Sequence, residues 1–167
     1  MGTWDIGPFQ NDTAADFAHT LDETAEGERE NLVRATLARA VRSGDCLESP
    51  EGDEAVAAAA LVAAQCPGGE PVCAVFGPDE ALPVFAADLR PFAVEALDRV
   101  VAEGSELAEL WDDTPEGPRW REVIGRLRDV LDPPVPPQQD TLFEIQGCRD
   151  PGMPAARSVT GSGRFGG

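Results

Sequence analysis

The sequence contains no lysine and no tyrosine, and it has a single histidine, His19. All 13 basic residues are therefore arginines, and they stand against 31 acidic residues, which gives a formal net charge of −18 at pH 7. Without lysine the chain cannot form the phosphate-binding loop of P-loop proteins, whose glycine-rich turn ends in a lysine. A surface of this charge repels nucleic acid and anionic lipid, so we expect neither as a partner. The acidity favours either plain solubility or a basic protein partner.

Long apolar runs and paired cysteines are also missing. No apolar run is long enough to span a bilayer, and the N-terminus lacks the basic region and apolar core of a signal peptide, so we predict a cytoplasmic protein. Cys46, Cys66, Cys73 and Cys148 include no C-x-x-C pair and have no histidine nearby, which argues against a zinc site. We expect free thiols, with a disulfide between Cys66 and Cys73 as the alternative.

The first seventeen residues are the most distinctive part of the chain. Two glycines and a proline interrupt their first half, so we predict an irregular arm and not a helix. The arm carries three large apolar side chains that need to be buried: Trp4, Ile6 and Phe9. Asn11 or Asp12 is a suitable N-cap for the helix that follows. We therefore predict that the arm lays Trp4 and Phe9 on the body before the first helix starts.

This opening resembles that of an uncharacterised bacterial family, domain of unknown function 4259, whose chains typically start G-x-W-x-x-G-P-F-x-N-D-x-A-x-D-F. The matching positions are Gly2, Trp4, Gly7, Pro8, Phe9, Asn11, Asp12, Ala14, Asp16 and Phe17. A second matching block is Ser-Glu-Leu-Ala-Glu-Leu-Trp at residues 105–111, followed by Trp120 and Leu127, so the resemblance covers residues 1–131. Gln10 replaces the aspartate that is frequent at its position. The resemblance implies a family but no activity and no catalytic residue.

Helical periodicity predicts an all-α fold of five or six helices. Residues 55–64 are apolar on every side, so they should form a central, buried, alanine-rich helix with the others packed around it. That helix should be capped by Ser49, and the first two helices should cover residues 13–24 and 28–43. A fourth helix should start near residues 82–83 and be kinked or split by Pro91, and the last two should be capped by Ser105 and Thr114. In the second helix we expect this apolar set: Leu32, Ala35, Leu37, Ala40 and Val41.

Four prolines within residues 133–137 end the helical pattern. Beyond them three acidic residues balance three arginines, so the whole net charge belongs to residues 1–132. We predict an acidic helical domain over residues 1–132 and a disordered Pro/Gly-rich tail over residues 133–167, where the apolar cluster at residues 142–145 is too small to offset the ordering entropy. A short extended piece is possible at residues 72–76, within the Pro/Gly-rich connection.

One face of the first predicted helix carries the best candidate site. Asp12, Asp16, His19 and Glu23 follow one another at spacings of four, three and four, which places them on one side of a helix, as in helical bundles that bind metals. Phe17 and Leu21 lie on the opposite face, so these four side chains should point to water, whereas bundle metal sites face inward. A solvated acidic face is therefore one interpretation, and a metal site is the other.

A second acidic cluster surrounds Trp111, with Asp112, Asp113, Glu106 and Glu109. Two carboxylates can act as acid and base, but only if burial separates their pKa values, and here we expect them to end a short helix instead. No serine lies in a G-x-S-x-G elbow. Trp111 and Trp120 are interpreted as core anchors.

These observations lead to a prediction of function. We expect a non-enzymatic, acidic interaction module, immunity-like or regulatory, that binds a basic protein and carries no cofactor. The alternative is a metal-binding bundle or metal-dependent enzyme that uses the Asp12/Asp16/His19/Glu23 face.

Overall fold

A computed structural model describes residues 6–72 and 77–133, and within these ranges the chain forms six helices and no strand. They are α1 (Asp12–Glu23), α2 (Glu26–Val41), α3 (Ser49–Ala64), α4 (Leu89–Val100), α5 (Glu106–Asp112) and α6 (Gly117–Leu131). The predicted all-α class and the number of helices are confirmed. Among the described residues, no helix is long and apolar enough to cross a membrane.

Helix α3 is the centre of the fold, as its composition predicts. Every residue from Ala55 to Ala63 is buried, and α3 contacts all five other helices. The small alanine side chains allow these neighbours to approach closely, so a helix without a polar face is covered on all sides. The predicted cap is wrong, because Ser49 is the first helical residue and Glu48 holds the N-cap position. The carboxylate of Glu106 accepts the Ser49 N–H at 2.8 Å and satisfies this helix end from another helix.

Helix α2 buries Leu37 and Ala40 as expected, but its buried face also contains residues from outside the expected apolar set. Ala35 is exposed, whereas Arg29 and Thr36 are buried beside Val33. The Arg29 side chain is 7% exposed and donates to the carbonyl oxygens of Leu21, Thr24 and Ala81 at 2.7–3.0 Å. A guanidinium presents five donors in a fixed fork, so it can satisfy several chain segments at once. Arg29 therefore ties the end of α1 to the connection that precedes α4.

That connection extends further than predicted, because α4 starts at Leu89 and not near residues 82–83. Side chains from neighbouring helices accept the backbone N–H groups of the preceding residues, so no helical turn is needed to satisfy them. Gln65 Oε1 accepts from Phe85 N at 2.9 Å, and Glu30 Oε2 accepts from Ala86 N at 3.2 Å. Pro91 then lies in the first turn of α4, where a missing N–H costs nothing, so it neither kinks nor splits the helix.

Helices α5 and α6 are joined by a stacked pair of tryptophans. The rings of Trp111 and Trp120 lie 5.8 Å apart and 10° from parallel, and both side chains are buried, so their interpretation as core anchors is confirmed. Ser105 caps α5 as predicted, by accepting from Ala108 N at 3.3 Å. Thr114 does not cap α6: its hydroxyl donates to the Trp111 carbonyl at 2.7 Å, and α6 starts three residues later at Gly117.

Two loops meet where α3 and α5 begin. Leu47 N donates to Gly104 O at 2.8 Å and Glu106 N donates to Leu47 O at 2.9 Å, which makes an isolated parallel bridge. Gly104 has a φ of +79°, and a Cβ there would collide with the carbonyl of Asp45. Glycine is therefore required at this crossing for both its conformation and its size.

Several predictions fall outside the described residues. They concern the burial of Trp4, the extended piece at residues 72–76, and the disordered tail, which is the second of the two predicted parts of the chain. Of the cysteines, Cys46 is an exposed free thiol and Cys66 a buried one.

Candidate functional site

The acidic face of α1, which we define as Asp12, Asp16, His19 and Glu23, points to solvent as predicted. The side chains of His19 and Glu23 are 73% and 70% exposed, and His19 Nε2 lies 3.6 Å from Glu23 Oε1. The carboxylates of Asp12 and Asp16 have no partner among the described residues. The opposite face of α1 buries Phe17 and Leu21, so core packing fixes the direction in which the acidic face points.

The metal hypothesis has only a partial geometric basis on this face. In residues 6–72 and 77–133, no three His, Cys, Asp or Glu side chains are grouped closely enough to hold a metal ion. His19 and Glu23 approach each other, and the other two carboxylates stand apart from them. Metal binding here would need the side chains to converge from different turns of one exposed helix.

The acidic face continues onto the start of α2, but less far than the sequence suggests. Glu26 and Glu28 are exposed. Glu30 is half-buried, accepts from Arg34 Nη2 at 3.1 Å and from Ala86 N at 3.2 Å, and so belongs to the packing of the bundle. The favourable pair of Glu30 and Arg34 predicted by their spacing is therefore present, and it removes Glu30 from the exposed charge.

Most arginines of the described residues are occupied within the bundle. Those paired with carboxylates are Arg29, Arg34, Arg39, Arg121, Arg126 and Arg128. Arg90 and Arg99 donate to backbone carbonyls, and in the part of the chain that the structure describes Arg42 and Arg119 have no partner. None of these pairs involves Asp12 or Asp16, so the negative charge of the α1 face is not neutralised locally.

The second acidic cluster is divided among structural tasks. Arg121 Nη2 lies 2.6 Å from Asp112 Oδ2, and this hydrogen bond lowers the pKa of the Asp112 carboxyl. Glu106 caps α3 through Ser49 N, and Asp113 is the C-cap of α5. The expectation that these carboxylates end a short helix fits Asp112 and Asp113, the last residue and the C-cap of α5, and is wrong for Glu106, which begins that helix.

An apolar groove runs between residues 7–10, helix α3, residues 68–72 and helix α6. Its volume is about 590 Å³, and its apolar walls include Phe9, Ala60, Val123, Leu127 and Val130. Cavities of this size and character are typical of ligand sites. Sequence reasoning did not find this groove, because its walls come from four segments that lie far apart in the sequence and no local pattern brings them together.

The arm forms one wall of the groove through a compact turn. Gln10 N donates to Gly7 O at 3.1 Å, and Gly7 N donates to Gln10 Oε1 at 3.0 Å. A Cβ at Gly7 would overlap the Gln10 side chain, so glycine allows this side chain to fold back. Phe9 is buried in the core, which confirms the predicted docking of the arm at this residue.

Asn11 joins the arm to the central helix. Its side-chain oxygen accepts from Ala14 N at 2.8 Å and so caps α1, as predicted for Asn11 or Asp12. Its side-chain nitrogen donates to Asp53 Oδ1 at 3.3 Å. Asp53 is only 5% exposed, and its burial, together with the neighbouring Glu54 carboxylate, raises its pKa from the ordinary 3.8 to about 7. Sequence reasoning missed Asp53 because it stands among the acidic residues that open α3.

The fold and these surfaces define a class: an acidic all-α bundle with an arm packed beside its central helix. The chain belongs to the family described as Domain of unknown function (DUF4259), whose sequence profile matches residues 2–123. The match includes the arm, the acidic face and the Asn11–Asp53 contact. No curated protein and no solved structure matches the chain. Family membership therefore assigns no activity.

Proposed function

We propose that this protein is a non-enzymatic interaction module that binds a basic protein through the acidic face of α1. The observation that carries the proposal is the state of Asp12 and Asp16, which are exposed and have no partner among the described residues. Exposed charges without internal partners are available to an incoming cation, and the rigid helix below them fixes their spacing.

The charge distribution supports the same partner. The chain carries a net charge of −18, and most described arginines are engaged inside the bundle. A field of this sign speeds up the encounter with a basic surface, and salt weakens it because the screening length falls from about 10 Å at 0.1 M to about 3 Å at 1 M. Association should therefore slow markedly as salt is added.

The test starts with a partner identified by co-purification from the source organism. Its association rate is measured against ionic strength for the wild type and for the double variant Asp16→Arg/Glu23→Arg. The variant should associate more slowly at low salt and unfold at the same temperature as the wild type, because both side chains are exposed.

The matched control is Glu95→Arg/Glu109→Arg, which changes net charge equally at exposed positions on α4 and α5. If both double variants slow association alike, net charge acts and the α1 face does not. A rate that is independent of salt in the wild type would refute the electrostatic basis of the proposal.

Metal binding by the same face is the second candidate function. It rests on the 3.6 Å approach of His19 to Glu23. Dialysis against Zn²⁺ or Mn²⁺ followed by metal analysis tests it, with His19→Ala as the comparison. Stoichiometric metal that is lost in His19→Ala would support this candidate, and equal, substoichiometric metal in both proteins would refute it.

A further inference from the structure

The buried carboxyl group of Asp53 lies where the arm meets the bundle. Asp53 stands near the start of α3, and Asn11, the last residue before α1, donates a hydrogen bond to it. The same Asn11 side chain caps α1 through its oxygen. Residues 6–11 are thus held at one end by a carboxyl group that can gain or lose a proton.

Residues 7–10 of this segment also form one wall of the apolar groove. Phe9 anchors them in the core, and the turn between Gly7 and Gln10 holds them together. If the Asn11 end is released, the wall that faces α6 and residues 68–72 loses its attachment at that end.

Few charged groups face Asp53. The adjacent Glu54 carboxylate makes the ionisation of Asp53 less favourable. Glu54 is itself paired with Arg39 of α2 at 3.0 Å. From α1 the contacting group is the neutral amide of Asn11, and α5 presents the Leu107 side chain beside Gly52. Among the described residues, no arginine of α2, α4 or α6 lies close enough to favour the ionised form of Asp53.

We propose that residues 6–11 are a pH-dependent latch, which stays closed over the groove while Asp53 is protonated and opens more often as Asp53 ionises and takes up water. Two geometric observations support the latch. The carboxyl group of Asp53 is buried under the hinge residue Asn11, and the groove wall is attached to that hinge. This inference is independent of the proposed partner of the acidic face.

The direction follows from proton linkage. Asp53 binds its proton more tightly in the closed state, with a pKa of about 7, than in a hydrated open state near 3.8. Protonation therefore stabilises the closed latch fully below pH 3.8, and this stabilisation is lost as pH rises through 7. Between pH 6 and 8.5 the ratio of closed to open latch should fall about tenfold, given this pair of pKa values.

Hydrogen exchange of two amides measures the latch directly: Gln10 N–H, which is bonded to Gly7 O, and Ala14 N–H, which is bonded to Asn11 Oδ1. After correction for the intrinsic dependence of exchange on pH, their protection in the wild type should fall about tenfold between pH 6 and 8.5, as that linkage requires. Protection of the Leu97 amide in α4 should stay constant.

Two variants distinguish the latch from general opening. In Asp53→Asn the protection of Gln10 and Ala14 should no longer depend on pH, whereas the exposed control Asp45→Asn should behave like the wild type. If Asp53→Asn does not fold, the wild type alone can be used. The pH midpoint of the change in its amide protection should then coincide with the pH midpoint of the Asp53 carboxyl carbon titration, measured by NMR. Protection that is independent of pH in the wild type, pH dependence that persists in Asp53→Asn, or midpoints that differ would overturn the latch.

Discussion

Exchanging Asn11 for aspartate would test the contact between the arm and the central helix. An aspartate keeps the cap of α1, since Asn and Asp are equally good N-caps, but it places a carboxylate where an amide donates to Asp53 at 3.3 Å. The variant loses the buried hydrogen bond from the residue 11 amide to the Asp53 carboxylate, and it places two negative charges next to each other. We expect Asn11→Asp to lower the free energy of unfolding at pH 8 by about 2–4 kcal/mol. The melting temperature should then fall by about 4–12 °C for a chain of this length.

Thermal unfolding followed by circular dichroism at pH 8 and pH 5 is the assay. The loss should be smaller at pH 5, because Asp53, with a pKa of about 7, is protonated there and donates a hydrogen bond to the new carboxylate. The reciprocal variant Asn11→Asp/Asp53→Asn exchanges donor and acceptor, so it should recover at least half of the loss at pH 8.

The matched control is Asn31→Asp on α2. Asn31 donates to Glu28 Oε2 at 2.9 Å in an exposed pair, so the same exchange in water should cost less than about 0.5 kcal/mol. Our reasoning fails if Asn11→Asp unfolds at the wild-type temperature at pH 8. It also fails if the reciprocal variant is no more stable than the sum of the two single changes.

Three further predictions concern stability and are checked by the same unfolding assay. Gly104→Ala should destabilise the fold by more than about 1 kcal/mol, because Gly104 has a positive φ and lies in contact with the 45–48 loop. Gly125→Ala, with open space around its Cβ position, should leave the stability unchanged or raise it by up to about 1 kcal/mol. Equal effects of the two changes would contradict this. Arg29→Met should cost about 3 kcal/mol because it removes one donor from each of three carbonyls, and Arg119→Met, at an exposed arginine without a described partner, should cost almost nothing. Trp120→Ala should cost about 3–5 kcal/mol, and a loss below 1 kcal/mol would show that the stacked pair is not a core anchor.

The sequence predicts well those features that depend on a single helix. Periodicity located all six helices, and the run of alanines identified α3 as the buried centre because no polar side remained to face water. Ser105 and Asn11 were identified as caps because a cap needs only a local hydrogen bond.

Two of the errors share one physical cause: polar groups satisfied by partners distant in sequence. Arg29 was not expected in the core because its acceptors lie up to 52 residues away. The start of α4 was misplaced because Gln65 and Glu30, from other helices, accept the N–H groups of the connection.

The residues of the opening motif can be divided into those that folding explains and those that it does not. Phe9 and Phe17 are buried, Gly7 accommodates Gln10, and Asn11 both caps α1 and contacts Asp53, so folding accounts for each of them. Asp12 lies in the first turn of α1, where a negative charge suits the helix dipole, so it too has a structural explanation.

Asp16 differs from all of these residues. It lies in the second turn, it is exposed, and its carboxylate contacts nothing in the part of the chain that the structure describes. Neither packing nor capping accounts for an aspartate there, because a helix interior gains nothing from aspartate in water. The basic partner proposed above would account for it. This is why the charge reversal at Asp16, more than at any other residue of the motif, should separate partner binding from folding.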